Sequence, residues 1–454
     1  MPVQDPALAA AFEYAATYRQ RDNALDATLT AAELRAKLMR PLPRSGRTGD
    51  AVIKDLIAAT EGGLVRNTEA GFFGWVMGGS HTTGVAADWL TSIWGQNAAI
   101  FQTSPASAIA EEAAAEWIVE LLGLPRESSV GFVTGATMAG FVGLAAARAE
   151  VLSRAGYEIE EEGLQGAPKV HIFLSDDSHA SNYAALRYLG FGEQNFIRVA
   201  PNEQGVMHPD ILEAEMDART GPMIVIGTAG HINSGGFEDF EALSRICKKH
   251  SAWLHVDGAF GLWARVLPEK DLLTNGIELA DSWSVDGHKW LQVPYDSGFA
   301  IIRDERAHLR AMSISAAYLN RDKDDGRDPS QFNPELSRRA RGFAVWAVLQ
   351  AMGRDGIIEM IRRHCDCASL LASSVTGHPD ITVRNRVDLN QVTLRIGECD
   401  QKTKEVARIL NEKHSSFVRT TVWKDEVVIR ISLIEKSTCL ETVKKLAEQL
   451  IDAV

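Results

Sequence analysis

Between residues 130 and 302 the chain repeats one unit, a short apolar run followed by an amphipathic stretch. The runs fall at 130–134, 170–175, 196–199, 223–227, 253–257, 282–285 and 298–302. Several are nearly unbroken in Val, Ile and Phe, as strands covered on both faces must be. The stretch 237–250, FEDFEALSRICKKH, spaces Phe240, Leu243 and Ile246 along one side of a helix. Strand and helix in alternation predict an α/β architecture, a mostly parallel seven-stranded sheet under helices.

The flanks follow other patterns. Residues 1–80 read as helical, ending in the glycine- and aromatic-rich GFFGWVMGGS, and residues 81–350 hold the sheet. From 351 to 454, helices flank two alternating runs, ITVRN and VVIRISL, which predicts a small α+β domain. No apolar run reaches the 18 or so residues of a membrane span. The start, MPVQDPALAAAFEY, has no basic stretch before an apolar one, so no secretory leader is expected. A net charge of -13 disfavours a phosphate-backbone partner such as nucleic acid. Five cysteines, an odd number, point to a reducing, cytoplasmic setting. The pair in RRHCDC lacks the second cluster that a zinc site needs, so no metal is expected.

Four segments each close a different strand, and ligands of open α/β sheets bind beyond strand carboxyl ends. In VTGATMAG, Gly135, Ala136 and Thr137 open an alanine-rich helix whose N–H groups suit an anion, although a plain helix start reads the same way. No Gly-Lys-Ser/Thr follows, which excludes a P-loop. In SDDSHAS, His179 lies just past a strand end, where it is either a pocket residue or a satisfied structural one. In WLHVDGAFG, Asp257 ends an apolar strand and needs a cationic partner. In DSWSVDGHKW, Lys289 follows Asp286 and His288 between Trp283 and Trp290, a setting suited to a nucleophilic amine. Anion cradle, aromatic stacker, buried carboxylate and amine together are what pyridoxal phosphate requires.

With these motifs the chain resembles the group II pyridoxal-phosphate amino-acid decarboxylases, which include aromatic-amino-acid, glutamate, cysteine-sulfinate and diaminobutyrate decarboxylases. The resemblance runs from about Phe72 to the C-terminus through FFGWVMGGS, ADWL, SPA, VTGATMAG, SDDSHAS, HVDGAFG, DGHKW and ELSRRARG. It implies the type I, aspartate aminotransferase-like fold, pyridoxal 5'-phosphate as cofactor, and a homodimer sharing its active sites. It also implies that Lys289 forms a Schiff base with the cofactor and that decarboxylation of an L-amino acid passes through a quinonoid. Asp257 would pair with the pyridine nitrogen, His179 would stack on the ring and Ala259 would lie against its other face. Gly135, Ala136 and Thr137 would cradle the phosphate with Asp286 and His288 beside them, Thr228 would adjoin the cofactor, and Arg430 would hold the substrate carboxylate.

Two departures stand out. In TAGHIN, His231 replaces a hydroxyl residue near the cofactor, as a proton relay or as a spacer turned away from the ring. The charged stretch LNRDKDDGRDPSQFNPELSRRARG looks like a lid, yet it lacks the family's proton-donating tyrosine. Phe332 is its aromatic residue and Tyr318 stands just upstream, so both are catalytic candidates. Relatives with phenylalanine for that tyrosine favour oxidative deamination to an aldehyde, which leaves this outcome, transamination and lyase chemistry as alternatives. Trp75, Val76 and Asn97 are expected to line the distal substrate pocket, Trp75 arguing for an aromatic and Asn97 for a polar side chain.

Overall fold

The computed structural model describes residues 5–21, 24–314, 326–413 and 415–454. Seven strands form the large sheet: β1 (Ser129–Val133), β2 (His171–Ser175), β3 (Phe196–Val199), β4 (Met223–Thr228), β5 (Trp253–Asp257), β6 (Ser282–Asp286) and β7 (Gly298–Ile302). Their spatial order is β1-β7-β6-β5-β4-β2-β3, parallel except that β7 runs antiparallel to both neighbours. The apolar runs therefore mark the strands to within a residue at either end, because a strand covered on both faces buries nearly every side chain and reads as a short, mostly apolar run.

Successive side chains serve opposite layers. Phe173, Val225, Leu254, Val256 and Ile301 belong to one apolar cluster, whereas Ile172, Leu174, Ile224, Trp253 and Ile302 belong to the other. This two-fold periodicity explains why the strands could not alternate polar with apolar residues. The helix Ala136–Arg154 crosses the second layer, its Gly143 packed where a Cβ would lie 2.9 Å from the His255 ring.

A second sheet is built from β8 (Ile381–Val383), β9 (Gln391–Ile396), β10 (Arg419–Trp423) and β11 (Glu426–Ser432), all antiparallel in the order β10-β11-β9-β8. The sequence pattern indicated β8 and β11 only. β9, QVTLRI, is buried throughout despite its Gln and Arg, and β10, RTTVW, is an edge strand with little to bury. The helix Gly342–Val375 breaks at Gly353 (φ 62°) on its way from the large sheet to the small one. Helices Pro6–Tyr18, Ala31–Leu38 and Gly49–Thr60 make up the N-terminal segment. Among the described residues no helix is long and apolar enough to cross a membrane.

Candidate active site

The carboxyl ends of β2, β4, β5 and β6 and the start of the helix after β1 enclose a cavity of about 320 Å³. Its wall contains Gly135, Ala136, Thr137, His179, Thr228, His231, Asp257, Ala259, Asp286, His288 and Lys289, with Val76 contributed by the N-terminal segment. A wider cleft of about 1030 Å³, lined in part by Arg21, Arg66, Arg408 and Arg419, holds none of these strand-end residues.

Lys289 Nζ reaches Asp286 Oδ2 at 3.0 Å, and Asp286 Oδ1 accepts the Ala136 N–H at 2.6 Å. His288 Nδ1 accepts the Ser297 N–H at 3.1 Å, so its proton sits on Nε2, 3.3 Å from Asp286 Oδ1. Burial pushes the His288 imidazole below its ordinary value. One carboxylate thus joins the amine, the helix start and an imidazole. A Cβ on Gly135 would come within 2.9 Å of His288 Cε1, and one on Gly298 within 2.4 Å of Gly135 Cα, so this corner closes only with glycines. The tryptophans beside Lys289 in sequence turn away from the cavity. Trp283 and Trp290 are fully buried, their indole N–H groups donating to Ile277 O and His364 Nδ1 at 2.9 Å each. The amine's neighbour is a carboxylate rather than the aromatic setting expected from DSWSVDGHKW.

Asp257 is buried at the end of β5, but among the described residues its partners are neutral instead of cationic. Asn182 Nδ2 donates to Oδ2 at 2.8 Å and the Ala259 N–H to Oδ1 at 3.3 Å. Asn182 went unnoticed in the sequence, although its place three residues after His179 puts both on one face of the helix Ala180–Tyr188. His179 caps that helix, its Nδ1 accepting the Ser181 N–H at 3.2 Å, which leaves the Nε2 proton for other partners. Burial holds the His179 imidazole below its ordinary value, the charges of Lys289 and Arg430 adding to the effect against those of Asp257 and Asp286.

Arg430 lies on β11, outside the cavity wall. Its Nη1 donates to Asn233 Oδ1 at 3.3 Å, its buried Nε has no hydrogen-bond partner among the described residues, and burial pushes its guanidinium down to about 10. Among the described residues this is a desolvated cation without a carboxylate partner. His231 is 2% exposed, and both of its ring nitrogens are engaged. Nδ1 accepts the Ser234 N–H at 3.3 Å, and Nε2 lies 3.2 Å from Asp177 Oδ2.

Besides Arg430, three further expected site residues stand outside the cavity wall of this chain. Phe332 is 2% exposed, edge-on to His308, with the Arg327 guanidinium 3.6 Å from its ring centre, a core position outside the cavity. Its backbone also meets Gly131 of β1 closely, where a Cβ would lie 2.0 Å from Phe332 O, so packing captured an aromatic side chain that the loop composition had left free. Trp75 (φ 56°) stacks in line with Phe72 and Phe417 beneath Arg419. Asn97 spends its Oδ1 on the Arg338 N–H at 3.1 Å. Tyr318 lies outside the described residues.

The family profile described as "Pyridoxal-dependent decarboxylase conserved domain" matches residues 32–397. The chain belongs to this family. It is 28% identical over 453 residues to the aromatic-L-amino-acid decarboxylase of Bacillus atrophaeus, covering 93% of this chain and 90% of that one. It is also 28% identical, over 319 residues, to the acidic amino acid decarboxylase GADL1 of Xenopus tropicalis, covering 68% and 61% of the two chains. The crystal structure of Oryza sativa TDC with PLP and tryptamine superposes with a TM-score of 0.89 at 22% identity, over 98% of this chain and 96% of that one, which shows the type I fold. The enzyme is a pyridoxal-phosphate-dependent amino-acid decarboxylase, a carboxy-lyase. The donor set fits this cofactor, with a primary amine, a buried carboxylate supplied with hydrogen-bond donors and a glycine-lined helix start facing one cavity.

Proposed function

We propose that this cavity removes the α-carboxylate of an L-amino acid, with Lys289 as the residue that carries the cofactor. The observation that carries the reading is the placement of Lys289, Asp257 and the helix start at Ala136 in one wall. When bound, pyridoxal phosphate supplies an aldehyde for amines and a ring that accepts the electron pair left as carbon dioxide departs.

The chain's own groups do the rest. Asp286 Oδ2 holds the Lys289 amine in place at 3.0 Å, with His288 steadying Oδ1. Asn182 donates to Asp257 Oδ2 and so orients the carboxylate that would hold the cofactor's ring nitrogen. His179 would cover the ring of the bound cofactor, and the Gly135–Thr137 turn would hold its phosphate. Arg430 anchors the substrate carboxylate, so that the bond to be broken is held in one direction.

The enzyme works as a homodimer, with residues 1–80 as its dimerisation segment, 81–350 as the cofactor domain and 351–454 as the small domain. Exposed Phe12 on the helix Pro6–Tyr18 and Trp89, Ile93 and Trp94 on the helix Thr82–Trp94 support a covering second copy. Five free cysteines favour a cytoplasmic site of action.

A panel of L-amino acids offered to the holoenzyme, with carbon dioxide, ammonia and oxygen followed together, tests this reading. Amine and carbon dioxide in equal amounts without oxygen uptake are expected, and Lys289→Ala should abolish both turnover and the bound-cofactor absorbance. Stoichiometric oxygen use with ammonia release, or turnover surviving in Lys289→Ala, overturns it.

A further inference from the structure

His231 occupies a position where a proton relay was one expectation, yet its hydrogen bonds lead towards the small sheet. Three elements meet at its ring: the loop after β2 through Asp177, the turn after β4 that carries His231, Asn233 and Ser234, and the hairpin β10–β11 through Trp423. Because Nδ1 accepts backbone N–H groups from Asn233 (3.4 Å) and Ser234 (3.3 Å), the ring proton is on Nε2 and is donated to the Asp177 backbone O at 3.2 Å, with the Asp177 Oδ2 carboxylate oxygen also 3.2 Å from Nε2. Trp423 Nε1 donates to that same oxygen at 2.8 Å, and the two rings lie 5.9 Å apart. A glycine closes the arrangement, since a Cβ on Gly205 (φ 80°) would stand 2.8 Å from both Asp177 Oδ2 and His231 Nε2.

Trp423 and Arg430 belong to one stiff ribbon. Lys424 and Asp425 both have positive φ (53° and 62°), the two-residue turn whose twist matches paired strands. The register pairs Trp423 with Glu426 and Arg419 with Arg430. Side chains at 423, 426, 428 and 430 therefore share a face, and Arg430 stands about 14 Å along the ribbon from the latch at roughly 3.4 Å per residue. His231 has a second route to the same group. By holding the N–H groups of Asn233 and Ser234 it shapes the turn whose Asn233 Oδ1 contacts Arg430 Nη1 at 3.3 Å. Asn385 and Thr393 of the small-sheet side pin that turn further, through Ser234 O at 2.9 Å and through Asn233 O.

We infer that His231, Asp177 and Trp423 form a latch that sets where Arg430 stands relative to the cofactor ring, making His231 a positioning residue for the substrate carboxylate. The inference rests on the reading of Arg430 as the carboxylate anchor. Steady-state kinetics of the holoenzyme, with the amino acid decarboxylated fastest in the panel above, should be measured for His231→Phe, His231→Gln, Trp423→Phe, Arg430→Gln and the double variant His231→Phe/Arg430→Gln. Cofactor affinity of each apoenzyme is titrated alongside. His231→Phe and Trp423→Phe are expected to raise KM about tenfold, with kcat within about threefold and cofactor affinity unchanged. His231→Gln should recover part of the loss, and His231→Phe should add nothing once Arg430 is Gln.

A fall in kcat at unchanged KM, a loss of cofactor affinity, or a further KM increase in the Arg430→Gln background overturns the latch. An unchanged KM in Arg430→Gln alone overturns the anchor reading instead. Trp423→Phe retains an aromatic ring in the packed site, so the test stands if His231→Phe does not fold.

Discussion

Arg430→Met should stabilise the protein while crippling it. Burial lowers the Arg430 guanidinium from 12.5 to about 10. That shift corresponds to roughly 3 kcal/mol of penalty on the charged form, at about 1.4 kcal/mol per factor of ten. At pH 7 the group is charged in both the folded and the unfolded chain, so the penalty is present in full and fades only as pH rises through about 10. The bond to Asn233 and residual solvent at this partly exposed side chain return some of it. A net gain of about 1–2 kcal/mol in the apoenzyme is therefore expected, read as a higher urea midpoint. Substrate binding moves the other way, because truncating one partner of a desolvated charge pair costs about 2–5 kcal/mol. KM should rise at least about 30-fold in a carbon dioxide release assay. A destabilised apoenzyme, or an unchanged KM, would refute the assignment of Arg430 as a cation held in readiness for an anionic ligand.

Other positions give sharp outcomes. Asn182→Leu removes the 2.8 Å donor to Asp257 with little change in volume; hydrogen bonds to charged groups are worth about 1.5–3 kcal/mol, so apoenzyme titration should show cofactor affinity reduced about 10- to 100-fold. Gly298→Ala drives a Cβ to 2.4 Å from Gly135 Cα, backbone against backbone, and should lower both thermal stability and cofactor retention; a retained cofactor absorbance would contradict the close packing. Burial pushes His308 and His364 down to about 3, so between pH 7 and 5 the unfolded chain takes up protons that the folded chain does not. Stability should thus fall with pH by about 2 kcal/mol per histidine across that interval, and His308→Asn should flatten the dependence measured by denaturant unfolding.

The sheet was legible because its signal is local. A strand covered on both faces must be short and apolar, so the carboxylates that close WLHVD and SWSVD, Asp257 and Asp286, announced the strand ends on which the cavity is built. The turn at Gly135 and the amine at Lys289 were legible for the same reason. β9 and β10 were not, since polar residues of QVTLRI find hydrogen-bond partners distant in sequence: Gln391 Nε2 donates to Ser432 Oγ at 2.9 Å and Arg395 to Val427 O at 2.7 Å.

Choosing among side chains of the right type required the folded chain. Phe332, Trp75 and Asn97 had suitable chemistry, but His308, Phe417 and Arg338 claimed them for packing and backbone hydrogen bonds. His231 and Trp423 carried no shared signal at all, being 192 residues apart, and Asn233 meets Arg430 across 197. Periodicity and strand termini depend on neighbours within a few residues, which a sequence displays directly. Which imidazole faces a ligand and which braces a hairpin depends on how two sheets close on each other, and that is set by the sum of contacts over the whole chain.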